Sequence, residues 1–509
     1  MRLFFAFAVV FVYLFGLSVP LIGPDEPRYA QVAREMFQRG DFVTPTLGGF
    51  LWFEKPALLY WLEIFSFHFF GVSEFAARFF PALFGLGIIF SLYLIGSLAA
   101  KDKKGNEENG GFSDAGFRFA LVAASTIGII VFSRGASFDI VLTFPMTAAL
   151  AGFFFYDRAS GSGGGTRFVA LVAFYFFIGL SLLAKGLIGA LFPLAIVGFY
   201  YLLSFRVPRR DFFISLIWGA IISAAVASLW YVPMYLRHGW RFIDEFFIQH
   251  HFQRYTSNKY LHPQPFYFFF WVLPLMTIPW LPFFLAGFWD FVKSTFSHLR
   301  LAFRESSPFR FLSSAQSAGS RPPQLLLFAF SWLAVPVVFF SFSGSKLPGY
   351  IVPAVPAAII FAAVYSIRFT RGNPRRVILI NLTAAATCVI VPALVQFALP
   401  RFADEDSVKR LIASADALGY SESNVAGFIT VSHNAEYYAA GRLVRTEDGK
   451  QRRFINTTEI AEEIRHEGGR TLLVLVPLEH LRHIRESDLL ASEILDENSE
   501  LALAAVNLR

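Results

Sequence analysis

Six short polar motifs interrupt a chain that is otherwise mostly apolar. DEPRYAQVARE brings Asp25, Glu26 and Arg28 together directly behind an apolar run; FEKPALLYWL carries Glu54 and Lys55; SFDIVLTF opens an apolar run with Asp139. LLAKG isolates Lys185 between two apolar runs, SKLPGY supplies Lys346 and Tyr350, and FIQHHFQRY supplies His250, His251, Arg254 and Tyr255, with His262 close behind. Ionisable groups next to a bilayer are anchors or chemistry. Two carboxylates at one depth, Asp25 and Asp139, can divide labour between a base and a substrate-orienting group, as paired acids do in sugar-processing enzymes. Lys55, Lys185 and Lys346 together make an anion site suited to a phosphate. Glu54 with a histidine pair suits a zinc-like ion, although adjacent histidines on a helix diverge by about 100 degrees.

Each motif also has a structural reading. Asp25 can cap a surface helix that has Pro27 in its first turn and Ala30, Val32, Ala33, Met36 and Phe37 as its apolar stripe. Asp139 can likewise be an N-cap, Lys185 can snorkel, and the histidines can be hydrogen-bonded interfacial groups.

The elements that must position these residues follow from composition. The 509-residue chain is 55% hydrophobic and 16% charged, with 63 phenylalanines, where a soluble chain carries about a quarter charged residues. It is a polytopic membrane protein. The formal charge of +7 falls in short clusters between apolar runs and reads as topology signal, not as a nucleic-acid surface. A single cysteine, Cys388, excludes an intramolecular disulfide and a Cys-rich metal site. The first apolar stretch is long enough to span and is read as a retained span.

Spanning runs recur near 3–22, 78–98, 117–133, 140–156, 168–183, 187–204, 212–235, 266–290, 324–342, 348–367 and 376–399, about eleven in all. Alternate loops hold Lys101, Lys103, Lys104, then Arg158 and Arg167, then Arg206, Arg209, Arg210, then Lys293, Arg300, Arg304, then Arg368, Arg371, Arg375, Arg376. These belong on the cytoplasmic side. All six motifs then face out, in a loop over 23–77, the turns at 134–139, 185 and 343–350, and a loop over 236–265. KDKKGNEENGG, SGSGGG and SSAQSAGSRPP read as flexible connectors. After Pro400 spanning runs stop, and 401–509 is expected to form a small α/β domain outside the membrane. SVKRLIASADALG and TEIAEEIRHEG are its helices, VAGFITVS and RTLLVLVPL its strands. No nucleotide-binding loop is present.

Taken in order, DEPRYAQVARE, FEKPALLYWL, VSEFAARF, SFDIVLTF, LLAKG, HHFQRY and SKLPGY resemble the bacterial lipid A aminoarabinose transferases and the related dolichyl-phosphate-mannose-protein mannosyltransferase-like proteins, over about 1–400. The resemblance implies a GT-C membrane glycosyltransferase of eleven to thirteen transmembrane helices in the bacterial inner membrane. Its domains would be 1–400, with surface helices in the outer loop, and an extracytoplasmic 401–509. It implies transfer of a sugar, with inversion, from a polyprenyl-phosphate donor to lipid A or another envelope glycolipid, or alternatively to protein hydroxyls. A transporter or lipid flippase, and a non-catalytic membrane scaffold carried by 401–509, are the remaining rivals. By similarity Asp25 matches the acceptor-side acid, Arg28 the same surface helix, Asp139 the second acid, and Lys55 the phosphate-binding lysine. Lys185, Lys346 and Tyr350 match the donor phosphate pocket, and Glu54 a metal ligand that His250 and His251 could join. A divalent ion is thus an expected cofactor and a nucleotide is not; lipid, lipopolysaccharide or protein is the expected acceptor, and nucleic acid is not a partner.

Overall fold

A computed structural model describes residues 2–101, 114–159, 163–253, 263–304 and 324–509. The connectors at 102–113, 160–162 and 305–323, together with Arg254, Tyr255 and His262, lie outside the described residues.

Each of the eleven apolar runs contributes helix, although residues 15–22 of the first are turn and irregular backbone. Among the described residues seven helices are long and apolar enough to cross a membrane, including Glu74–Ala100, Phe138–Arg158, Gly164–Lys185 and Pro374–Phe397. Two bent pairs, Ala115–Ala124 with Ile127–Ser133 and Phe268–Met276 with Leu281–Phe296, raise the count to nine if each is one span. The other two expected spans are shorter: Leu3–Leu14 and Ile188–Ser204. The first stops because the chain turns at Gly16 (φ 67°) and Pro20 follows. In the first bent pair the break at Ser125 and Thr126 is filled by their own hydroxyls, which donate to Leu121 O (2.7 Å) and Val122 O (2.6 Å), the usual way a helix bend keeps its carbonyls satisfied. The expected outer loop over 236–265 is a loop only in part. After a break at Gly239 (φ 55°) the helix Arg210–Phe242 runs on into a π-helical segment, Ile243–Gln253.

The chain divides into two compact units. One comprises Met1–Leu14, Glu54–Leu58 and Pro81–Ile390; the other comprises Phe15–Phe53, Leu59–Phe80 and Val391–Arg509. The boundary expected at residue 400 marks the change of composition, but packing draws it differently. The first long loop joins the C-terminal residues, because its polar groups find their partners there. Tyr438 Oη accepts from Leu21 N (2.8 Å) and donates to Glu74 (3.1 Å), Asp406 accepts from Gly23 N (3.0 Å), and Arg34 donates to Tyr437 O (2.5 Å) while lying over the Tyr437 ring.

Within that second unit a short hairpin, β1 (Thr46–Leu47) with β2 (Phe50–Leu51), precedes a five-stranded mixed sheet. The sheet contains β3 (Val425–Phe428), β4 (Arg453–Phe454), β5 (Leu472–Pro477), β6 (Leu490–Glu497) and β7 (Leu501–Leu508), in the order β4-β3-β5-β7-β6. β3 is parallel to β4 and β5, and β7 runs antiparallel to β5 and β6. β5 is buried on both faces, and helices Lys409–Ala417 and Thr457–His466 cover the sheet through two apolar clusters. The terminal hairpin turns on Asn498, whose side chain accepts from Glu500 N (3.0 Å) and Leu501 N (2.7 Å).

Candidate active site

In the membrane unit, Asp139, Lys185 and Tyr350 meet. Ser137, in extended conformation, caps the helix Phe138–Arg158 by accepting from Asp139 N (3.2 Å), so Asp139 is not itself the cap and its carboxylate is free to face inward. The helix Gly164–Lys185 ends because Gly186 takes φ 73°, and its N–H closes on Leu182 O at 2.9 Å. That turn aims Lys185 at Asp139, with which it forms an ion pair, side chains 15% and 17% exposed. Tyr350 arrives on a 3-10 segment, Pro348–Ala354, which runs directly into the helix Val355–Thr370 and is held by Trp332 Nε1 donating to Pro353 O (2.8 Å). Lys185 Nζ lies 5.1 Å from the Tyr350 ring centroid, cation–π distance. A Cβ at Gly349 would overlap Asp139 Oδ2; glycine there admits the carboxylate. Irregular backbone at membrane depth, expected from SKLPGYIVP, is therefore what forms one wall of the cluster.

Two further lysines of that unit are held differently. Glu54 and Lys55 pair at 3.3 Å, each 12% exposed, so this is not solvated decoration. Lys346 is buried and donates to Ser343 O (2.7 Å) and Gln264 O (3.0 Å). Burial lowers its ammonium's pKa.

Asp25 and Arg28 belong to the other unit. Helix Asp25–Arg39 buries Pro27, Tyr29, Ala30, Val32, Ala33 and Met36, close to the stripe expected, and ends at Gly40 (φ 63°) with backbone bonds to Phe37 O and Met36 O. Asp25 does not cap it. Pro24 enters in helical conformation (φ −84°, ψ −26°), so Asp25 is already inside the helix and its carboxylate accepts from Arg28 instead, at 2.6 Å. Arg28 also donates to Pro24 O (2.8 Å) and lies 5.9 Å from the Trp52 ring.

Sequence reasoning missed three residues here. Arg78, almost wholly buried, grips Glu26 with two hydrogen bonds (3.0 and 2.6 Å) and donates to Leu17 O and Pro20 O (both 3.0 Å) and to Val19 O. It thereby pins the loop that leads into the Asp25 helix; the charges Glu74 and Arg78 within VSEFAARF were its only signal. Glu35 accepts from Thr46 Oγ1 (2.6 Å), Gly48 N (2.6 Å) and Gly49 N (3.2 Å), fastening the β1–β2 hairpin to the same helix. His433 stands near Asp25 and Arg28. Desolvation, then the Arg28 charge, lowers its imidazole pKa, against the opposing pull of Glu436 and Asp25.

For the expected ion, His250 lies on the π-helical segment, and the side chain of His251 is outside the described set. Among the described residues no three His, Cys, Asp or Glu side chains gather as ligands, and Glu54 gives its carboxylate to Lys55.

Residues 3–249 match the dolichyl-phosphate-mannose-protein mannosyltransferase family. An undecaprenyl phosphate-alpha-4-amino-4-deoxy-L-arabinose arabinosyl transferase of Yersinia enterocolitica is 26% identical over 451 residues, 86% of this chain and 72% of its own length. Its namesake in Shewanella sediminis is 28% identical over 360 residues, 69% of this chain and 57% of its own. The crystal structure of ArnT from Cupriavidus metallidurans bound to undecaprenyl phosphate matches with a TM-score of 0.77 at 21% identity, covering 99% of this chain and 97% of that one. Its apo form matches with 0.75 at 20% identity. The fold is that of the GT-C glycosyltransferases.

Proposed function

For a chain that has the GT-C fold and is related by sequence to aminoarabinose and protein-mannose transferases, we propose transfer of 4-amino-4-deoxy-L-arabinose from undecaprenyl phosphate to lipid A or a similar envelope glycolipid. The observation that carries this reading is the cluster of Asp139, Lys185 and Tyr350 at one end of the spans. A polyprenyl-phosphate donor keeps its reactive bond at the membrane surface, which is where such a cluster is useful. Attack at the anomeric carbon passes through an oxocarbenium-like state as the phosphate leaves. The leaving oxygen gains charge, so Lys185, with Lys55 and Lys346, binds it more strongly in the transition state than in the ground state. Asp139 holds Lys185 in place and keeps the pocket near neutral before the donor arrives. Asp25 orients the acceptor, assisted by Arg28, and takes its proton where the acceptor is a hydroxyl; direct displacement inverts the anomeric carbon. The reaction face and residues 391–509 then lie on the extracytoplasmic side, opposite the arginine-rich ends.

The family match over residues 3–249 favours a second reading, transfer of a sugar to protein hydroxyls. Mass spectrometry of envelope lipids and of exported proteins from a deletion strain and its parent separates the two: loss of a glycolipid mass supports the first, loss of protein glycans the second, and unchanged profiles in both refute both. A zinc-like ion on Glu54, His250 and His251 is a separate proposal, checked by metal analysis of the purified chain and its Glu54→Gln variant.

A further inference from the structure

At the membrane end opposite Asp139 and Lys185 lies a groove of about 750 Å³ between the helices Ile188–Ser204 and Arg210–Phe242. Its lining is almost entirely apolar, including Leu194, Gly198, Leu202, Phe205 and Phe213. One wall is the short connector 205–209, where Phe205 turns the chain in the left-handed region (φ 49°) and is 67% exposed, and Val207 is 85% exposed. Arg206 lines the groove, and Arg209 and Arg210, both exposed, follow on the same connector and at the start of the next helix.

The charge around this mouth is unbalanced. The ends of the four helices meeting here carry Arg158, Arg167, Arg206, Arg209 and Arg210 against Asp157 and Asp211. Arg206 engages Asp157 (3.2 Å), and Arg167 approaches Asp211 (4.0 Å). The remaining cationic excess stands at headgroup depth beside an apolar slot. Basic pockets between helices on the positive side of a membrane protein suit anionic headgroups, and the slot suits a hydrocarbon chain.

We propose that this groove is a binding site for an anionic phospholipid of the arginine-rich leaflet, one acyl chain in the slot and its phosphodiester against Arg209 and Arg210. Arg206, held by Asp157, Tyr200 and Gln324, fixes the connector and does not move to meet the lipid. The site is separate from the proposed transfer reaction, and its readout needs no activity.

The test is native mass spectrometry of the full chain, released from mild detergent with phosphatidylglycerol and phosphatidylcholine of identical acyl chains. The wild type retains phosphatidylglycerol preferentially, and Arg209→Gln with Arg210→Gln weakens that retention by roughly fivefold per arginine. A second variant leaves every charge in place. Gly198 lines the groove, and a Cβ there meets nothing within 4 Å, so Gly198→Leu fills the slot without disturbing the helix and lowers retention of phosphatidylglycerol. Equal retention of the two lipids by the wild type, an unchanged preference in the arginine variant, or unchanged retention in Gly198→Leu each overturns the proposal. So does displacement of phosphatidylglycerol by equimolar undecaprenyl phosphate, which would make the groove part of the donor's path.

Discussion

Lys185→Met separates catalysis from architecture. In the folded chain the Lys185 ammonium faces the Asp139 carboxylate on one side and the Tyr350 ring on the other, with about one sixth of each ionic side chain exposed. Removing one partner of a fully buried pair costs about 3–5 kcal/mol, because the other charge is left behind; partial exposure brings the expected loss here to roughly 2–3 kcal/mol. That loss belongs to the fold, and the double variant Lys185→Met/Asp139→Asn, which has no stranded charge, recovers most of it. Rate behaves differently. A preorganised donor facing a developing anion contributes about 3–4 kcal/mol, so kcat falls roughly 10²–10³-fold. The donor's KM changes by less than about tenfold, since the charge matters most when the phosphate is leaving. Transfer from a synthetic polyprenyl-phosphate sugar is followed by product mass, and folding by thermal melting in the same detergent. A Lys185→Met enzyme within tenfold of wild-type kcat, or one whose whole loss lies in KM, refutes the assignment of Lys185 to the leaving phosphate.

Gly349→Ala places a methyl on Asp139 Oδ2; such overpacking costs about 1–3 kcal/mol, and transfer falls at least tenfold by displacement of the carboxylate, checked by the same assay and melts. Arg78→Lys loses the fork that grips Glu26 and three carbonyls; lysine cannot reproduce it, and stability falls by about 3 kcal/mol, read by denaturation, whereas a wild-type-like melt would remove the clamp's proposed importance. His433 gives a pH signature. Its folded pKa is depressed below 6.5, so as pH drops below 6.5 the unfolded chain takes up a proton that the folded chain refuses, and stability declines. Above 6.5 both states are neutral and nothing changes. His433→Gln therefore flattens the fall in melting temperature between pH 7 and about 5; identical profiles for both proteins would contradict this.

Much of the membrane part was legible because its signals are local. Apolar runs near twenty residues became helices, and Asp139, Lys185 and Tyr350, chosen by residue type and by the ends of spans, do converge. Less legible was anything decided by distant partners. Asp25 has the sequence context of a cap, yet the conformation of Pro24, set by the loop that Arg78 pins, moves it inside the helix. Tyr438 serves Leu21 and Glu74 across some four hundred residues, and no periodicity encodes that. The β6–β7 hairpin escaped notice because the outer strand β6 alternates only weakly and Asn498 makes its turn without glycine. The first run shows the opposite limit: hydropathy marks 3–22, but the turn at Gly16 ends its helix at Leu14, whereas the run 187–204 is helical almost throughout, as Ile188–Ser204.

The joining of 15–53 and 59–80 with 391–509 in one compact unit has a consequence for synthesis. Glu74, Arg34 and Gly23 leave the ribosome early, whereas Lys409, Tyr437 and Asp406, which satisfy them, leave it last. At about 5–20 residues per second, the first segment waits on the order of half a minute before its partners exist. The nascent chain must pass that interval with these polar groups held by water or by a chaperone, and a stop codon anywhere before residue 391 would strand the beginning of the protein along with its end.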